Sequence, residues 1–183
     1  KRKAKAPAGM VKIPAGEFEF RVTGTEIEGF TSAGLDVQYP WENSARRSHL
    51  RRMQMRSFHI DRFPVTNADF KRFLDATHYR PADDHNFLRD WKDGSPPRGW
   101  ERKPVTWVSL EDARAYAAWA HKRLPHEWEW QYAAQSDDGR LYPWGNDWNP
   151  AAIPAPNTGR TLLPPANVDA HPAGASPFGV MDL

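Results

Sequence analysis

The sequence predicts an α+β domain of short elements joined by long irregular connections. Three observations carry that prediction. Seventeen prolines and 12 glycines in 183 residues demand many turns. Alternating apolar residues mark short strands near the start, and helical stripes with capping residues appear only further on. Nine tryptophans bring large apolar surfaces and set the chain apart from disordered sequences, which are poor in aromatics. The expected result is a loop-rich fold held by aromatic packing.

Residues 1–9, opening with "KRKAK", read as a basic tail or linker, with a nuclear or heparin-type patch as the other option. Residues 10–183 read as one domain, long enough to bury a sizeable core. In "GMVKIPAGEFEFRV", Val11 and Ile13 alternate with polar neighbours, "PAG" is turn chemistry, and Phe18, Phe20 and Val22 alternate again. Two strands follow from that. Thr23 to Asn43 has no periodicity and reads as loop. In "RMQMRSFHIDRF", Met53 and Met55 share one parity and Phe58 and Ile60 the other, which places a bulge or strand break near Ser57.

The first helical pattern is "TNADFKRFLDAT". Thr66 caps it, Asp69 completes a capping box, and Phe70, Phe73, Leu74 and Thr77 form the apolar stripe. Residues 79–104 have no period. Loops of that length are usually functional or disordered, and Phe87, Trp91 and Trp100 favour order. A second helix runs from Ser109 to Leu124, with Asp112 closing its box and Pro125 ending it. "HEWEWQYAAQ" restarts as a third helix whose Trp128 and Trp130 are expected in the core. Beyond "SDDGR" the chain turns Pro/Asn/Gly-rich, with "LYPWGNDWNP" as an aromatic turn.

Composition removes several function classes. The formal charge is +2, from 25 basic and 23 acidic residues, without the one-sided basic stripe of a nucleic-acid binder. No run approaches the length of a membrane span, and no apolar segment of signal-peptide type follows the basic start. A soluble chain is expected. Lacking an initial Met, it is expected to be cut from something longer. With no cysteine, these residues make no disulfide, zinc finger or thiol nucleophile.

Few residues look chemical. His121 and His126 lie five apart across a proline and do not share a helical metal-binding face. Glu127 and Glu129 diverge and suit a positive helix N-terminus. "ADDHNFLRDW" is richer: Asp83, Asp84, His85 and Asp90 could ligate a metal or act as acid and base, with Trp91 as a wall. The plainer reading is a solvated acidic turn. "DDG" at 137–139 lacks the ligand pattern of a calcium loop. Ser109 and Ser176 lack the surroundings of a nucleophile.

The order of segments goes further. "GMVKIPAGEFEF", "FHIDRFPVTNADFKRFLDAT", "KPVTWVSLEDARAYAAWAHKRLPHEWEWQYAAQ", "RLYPWGNDW" and "VDAHPAGASPFGVMDL" resemble the formylglycine-generating enzyme, or sulfatase-modifying-factor, family from Met10 to Leu183. That resemblance implies an elaborated C-type-lectin-like fold and an oxygen-dependent oxidation of a substrate cysteine to formylglycine. In the family a pair of cysteines binds copper(I), and calcium serves structure. Those cysteines follow a segment that would begin just after "FGVMDL", so no catalytic residue is expected within this chain and the domain is expected to be incomplete at its C-terminus. Copper would depend on that later part.

Residue by residue, Asp182 matches a family calcium position and Asn157 lies near a second, where "RTLL" replaces the expected acid. Asp84, His85, Asn86, Asp90 and Trp91 fall where family members shape the substrate groove. Ala117 and Ala134 stand where animal members carry disulfide cysteines. His121 replaces a glycine, which is strained if the left-handed backbone is kept. Two functions follow: a formylglycine-generating oxidase domain acting on a protein or peptide substrate, or a non-catalytic lectin-fold module that binds a partner or is completed by one. The family also contains iron-dependent sulfoxide synthases, and it slightly favours an extracytoplasmic location. By itself the chain is expected to leave part of its apolar surface uncovered.

Overall fold

The structure, a computed structural model, describes residues 6–23, 26–27, 37–38, 48–155 and 163–183. Strand β1 (Met10–Ile13) is followed by β2 (Gly16–Thr23), β3 (Glu26–Ile27), β4 (Val37–Gln38), β5 (Ser48–Met55) and β6 (Phe58–Asp61). The pairs β1–β6 and β2–β5 are antiparallel, the latter running from Gly16 opposite Met55 to Thr23 opposite Ser48. The strand break expected near Ser57 is where the chain leaves β2 and crosses to β1. The stretch read as loop after Thr23 contains one small addition, since β3 and β4 pair in parallel.

Two-stranded ribbons are marginal in water unless one face is covered. Here the cover is α3 (Glu127–Gln135). Ile13, Phe18, Met55, Tyr132, Ala133 and Val180 form one buried cluster, with the Phe18 and Tyr132 rings 5.2 Å apart. Gln131 closes the edge of β2 as a surrogate strand. The Arg21 N–H donates to Gln131 Oε1 at 3.1 Å, and Gln131 Nε2 donates to the Arg21 carbonyl at 2.7 Å. The chain's first described residues are woven in beside β6. The Arg62 N–H donates to the Gly9 carbonyl, and the Met181 N–H donates to that of Arg62, both at 2.9 Å.

A second cluster lies between α1 (Asn67–Thr77) and α2 (Leu110–Trp119), where Phe70, Phe73 and Leu88 are buried. Phe70 stacks on Tyr116 at 5.7 Å and meets Phe73 edge-on at 5.3 Å. Both capping boxes read from sequence are present, Thr66 with Asp69 and Ser109 with Asp112. Thr77 departs from the expected stripe. It is exposed, and its hydroxyl donates to the Phe73 carbonyl at 2.7 Å.

Helix α2 stops at Trp119, five residues before the expected Leu124. His121 takes φ 56°. Its N–H donates to the Ala118 carbonyl at 3.1 Å and the Lys122 N–H to that of Ala117 at 2.8 Å. That pair of bonds around a left-handed residue is a Schellman stop, a place that usually takes glycine. The histidine therefore keeps the geometry at a conformational cost.

The expectation that Trp128 and Trp130 are core is wrong: they are 36% and 45% exposed. The buried face of α3 is Glu129, Tyr132 and Ala133, spaced three and four apart, and positions 128 and 130 fall to either side of it. Trp128 instead stacks on His126 at 4.5 Å. Phenylalanine and tyrosine fill the interior.

Glu129 is the buried exception on that face. Both its oxygens accept from Arg123 at 2.6 Å, and the His126 N–H donates to it at 2.8 Å. The Arg123 bonds, helped by the His126 N–H and opposed by burial, hold its carboxyl below the usual range. Stability from such a group is complete above the unfolded value, near 4.3, and is lost as pH falls through the lower folded value. Glu129→Gln should cost about 1–2 kcal/mol at neutral pH, because its partner is largely exposed. In urea unfolding at several pH values, the difference from wild type should shrink as pH drops below about 4. A difference that stays constant down to the acid limit would contradict this role.

Candidate functional site

Residues 79–104 have no regular structure, yet they are held at several points, with the Asn67 side chain bonding both their middle and their end. Asn67 opens α1 and is 2% exposed. Its Nδ2 faces the carbonyls of Trp100 at 3.0 Å, Lys103 at 3.1 Å and, more distantly, Pro104 at 3.4 Å. Its Oδ1 accepts from the Trp91 indole N–H at 3.0 Å. The backbone adds the Asn67 N–H to the Lys103 carbonyl and the Ala68 N–H to that of Glu101. Val105 then pairs with Val65 at 2.9 Å, and Leu88 N–H donates to the Trp107 carbonyl, also at 2.9 Å. The start of the loop is held by the Tyr79 hydroxyl, which donates to buried Asp112 at 2.8 Å. Desolvation first, and this carboxylate second, push the Tyr79 pKa up to about 12.

The residues singled out in the loop are not gathered by this arrangement. Asp84, His85 and Asn86 are exposed, and His85 N–H closes a local turn on Asp83 Oδ1 at 2.8 Å. Asp90 is half-buried. Trp91 is a structural anchor, its indole spent on Asn67. Among the described residues no group of three or more His, Cys, Asp or Glu side chains converges as a metal site.

A cleft of about 590 Å³ lies where the two clusters meet. Phe58, Ile60 and Val180 line it from one side, and Phe70, Val105 and Tyr116 from the other. Its rim is charged. Lys122 binds both oxygens of Asp61 at 2.6 and 2.9 Å, and the Arg123–Glu129 pair stands alongside. Burial, then the carboxylates of Asp69 and Asp61, push the Tyr116 pKa up to about 12, so this phenol stays protonated. Asp182 also lines the cleft with φ 57°. Partial desolvation raises its pKa, against the pull of His171.

These donors do not by themselves compose the metal sites that the resemblance implies. Calcium takes six to eight oxygens. Asp182 brings one carboxylate, and Asn157 lies outside the described residues. The resemblance implies that copper(I) is held by a pair of cysteine thiolates, and the sequence has no cysteine.

A profile of the sulfatase-modifying factor enzyme 1-like domain matches residues 1–183. The chain belongs to this family. Among curated relatives, the formylglycine-generating enzyme of Mycobacterium tuberculosis is 31% identical over 182 residues, covering 70% of this chain and 61% of the relative. The hercynine oxygenase of Mycolicibacterium thermoresistibile is 34% identical over 178 residues, covering 81% and 37%. The inactive C-alpha-formylglycine-generating enzyme 2 of Bos taurus is 32% identical over 177 residues, covering 77% and 54%. The chain thus spans between about a third and three fifths of the length of these relatives. Few short helices and small sheets in a loop-rich α+β domain fit the family.

Sequence reasoning named the loop but missed its clasp. Asn67 follows the N-cap and looked like one more polar residue of a first turn. The only signal was its company, an amide beside a capping box and next to a long loop rich in tryptophan. Asn67→Ala should destabilise the protein by about 2 kcal/mol, because it leaves the half-buried Trp91 indole N–H without its acceptor and removes the donor shared by three loop carbonyls. Asn67→Asp keeps the acceptor for Trp91 but turns an oxygen toward three carbonyls, so it should fare no better. Urea unfolding of both variants checks this, and a loss under about 1 kcal/mol for either would contradict it.

Proposed function

We propose that the chain is the substrate-binding and scaffolding part of an oxygen-dependent oxidase of the formylglycine-generating type, acting on a cysteine of a peptide or protein. What supports this most is the family match along residues 1–183, with a formylglycine-generating enzyme among the relatives. The cleft suits a peptide: its walls are apolar and its rim carries paired charges. On this reading residues 1–183 bind and orient the substrate and exclude water, and no oxidative step is assigned to them. Thiolates for copper(I) would come from residues outside these 183, and Asp182 would be one ligand of a calcium ion. The scaffold would be the elaborated C-type-lectin-like one.

A second reading, a non-catalytic binding module, draws on the bovine relative named as inactive. One experiment separates them. The full protein is incubated with a C-x-P-x-R peptide, oxygen, copper(I) and a thiol reductant, and the product is read by mass spectrometry and an aldehyde-reactive probe. Conversion of the cysteine to an aldehyde is the expected outcome. Peptide binding without conversion favours the module, and a full protein lacking a cysteine pair would exclude the oxidase.

A further inference from the structure

One arginine in the long loop is held in place without a carboxylate. Arg89 Cζ lies 3.9 Å from the ring centroid of Trp107, so the guanidinium rests on the indole face. Arg72, Arg102, Arg123 and Arg140 each grip an acidic side chain. Among the described residues Arg89 makes no ion pair or hydrogen bond through its guanidinium, and it is exposed. Stacking fixes one face of the planar group and leaves the edge with its N–H donors open.

The backbone around this pair is unusual. Leu88 and Trp107 both have positive φ, 48° and 60°, and the two are joined by the Leu88 N–H to Trp107 carbonyl bond. Bulky residues seldom adopt that conformation, and where they do the surroundings must impose it. Leu88 is anchored in the α1–α2 cluster. Trp107 is 45% exposed, so burial does not account for a tryptophan there. Two residues with positive φ thus meet at a half-exposed indole with an arginine laid upon it.

We propose that Arg89 on Trp107 is a recognition fork for a carboxylate of the ligand, either an acidic side chain or a chain terminus. A guanidinium edge matches a carboxylate through two parallel bonds, and stacking removes in advance much of the freedom that binding would otherwise cost. The assignment concerns a binding contact and stands whether or not the domain catalyses an oxidation.

The test uses the full protein, isotope-labelled at tryptophan and arginine nitrogen, with Arg89→Gln and Trp107→Phe providing the assignments. N-acetyl-glutamate amide and N-acetyl-alanine are titrated at constant ionic strength, with N-acetyl-glutamine amide as the neutral control and inorganic phosphate as a further arm. The expected result is a saturable shift of the Trp107 indole and Arg89 Nε signals at millimolar carboxylate, on the order of the strength of one bidentate contact. Arg89→Gln should weaken it about tenfold or more, with the remaining amide spectrum unchanged. Stronger binding of the first probe names a side chain as the source, and of the second a terminus. Shifts equal to those of the neutral control, shifts unaltered by Arg89→Gln, or tighter binding of phosphate than of either carboxylate would overturn the proposal.

Discussion

The Asn67 amide is the interaction on which the rest of this structure depends. A loop of 26 residues between two helices carries many backbone polar groups and little periodicity, so it has no ladder of its own. Asn67 supplies the missing partners from a buried position at the start of α1, reaching carbonyls of the loop's far end and the Trp91 indole in its middle. At a buried side chain an unmade bond is costly, so the Asn67 amide has few alternatives. The loop's order is transmitted onward. With Trp100, Lys103 and Pro104 fixed, Val105 pairs with Val65, and Trp107 meets Leu88 just before α2 begins. The entry to α2 and the Arg89–Trp107 stack therefore depend on one side chain of α1.

The aromatic residues divide by task. Phenylalanine and tyrosine rings make the contact between α1 and α2 and between α3 and the ribbons. Several tryptophans sit at half-exposed positions, where one face packs and the other is open. Tyr142 and Trp144 stack in the turn before Trp148 in the same manner, within a loop closed by two bonds between Tyr142 and Gly145. A large indole is a costly way to fill a core and an effective way to cap one, since it covers much area from the rim. This division leaves the apolar cleft where the two clusters meet, with Asp61–Lys122 and Arg123–Glu129 along its edge. Each pair also locks local structure: Lys122 follows the stop of α2, and Glu129 caps α3 from within.

Local chemistry was legible in the sequence and placement was not. Capping boxes at Thr66 and Ser109, the phase break near Ser57 and the aromatic turn at 141–150 each depend on neighbours within a few residues, and the structure follows them. The end of α2 was misplaced because the stop is a left-handed histidine, a residue that does not advertise that backbone as glycine does. The exposure of Trp128 and Trp130 is not legible from residue type, because the helical angle sets their direction. For the site the same boundary holds. The loop's importance followed from its length and aromatics, but Asn67 bonds over 24 to 37 residues, and the Arg89 stack needs two unusual backbone angles. No short-range periodicity encodes either.

The relatives of this domain include a formylglycine-generating enzyme, a hercynine oxygenase and a protein named as inactive, so family membership alone does not fix function. The most direct measurement of the account is hydrogen exchange of the Trp91 indole N–H in the native protein. If Asn67 is the clasp, that proton exchanges slowly, through the same opening event as the backbone N–H groups of Asn67 and Val105. Exchange of the Trp91 indole at the rate of a free tryptophan, with those backbone groups still protected, would contradict it.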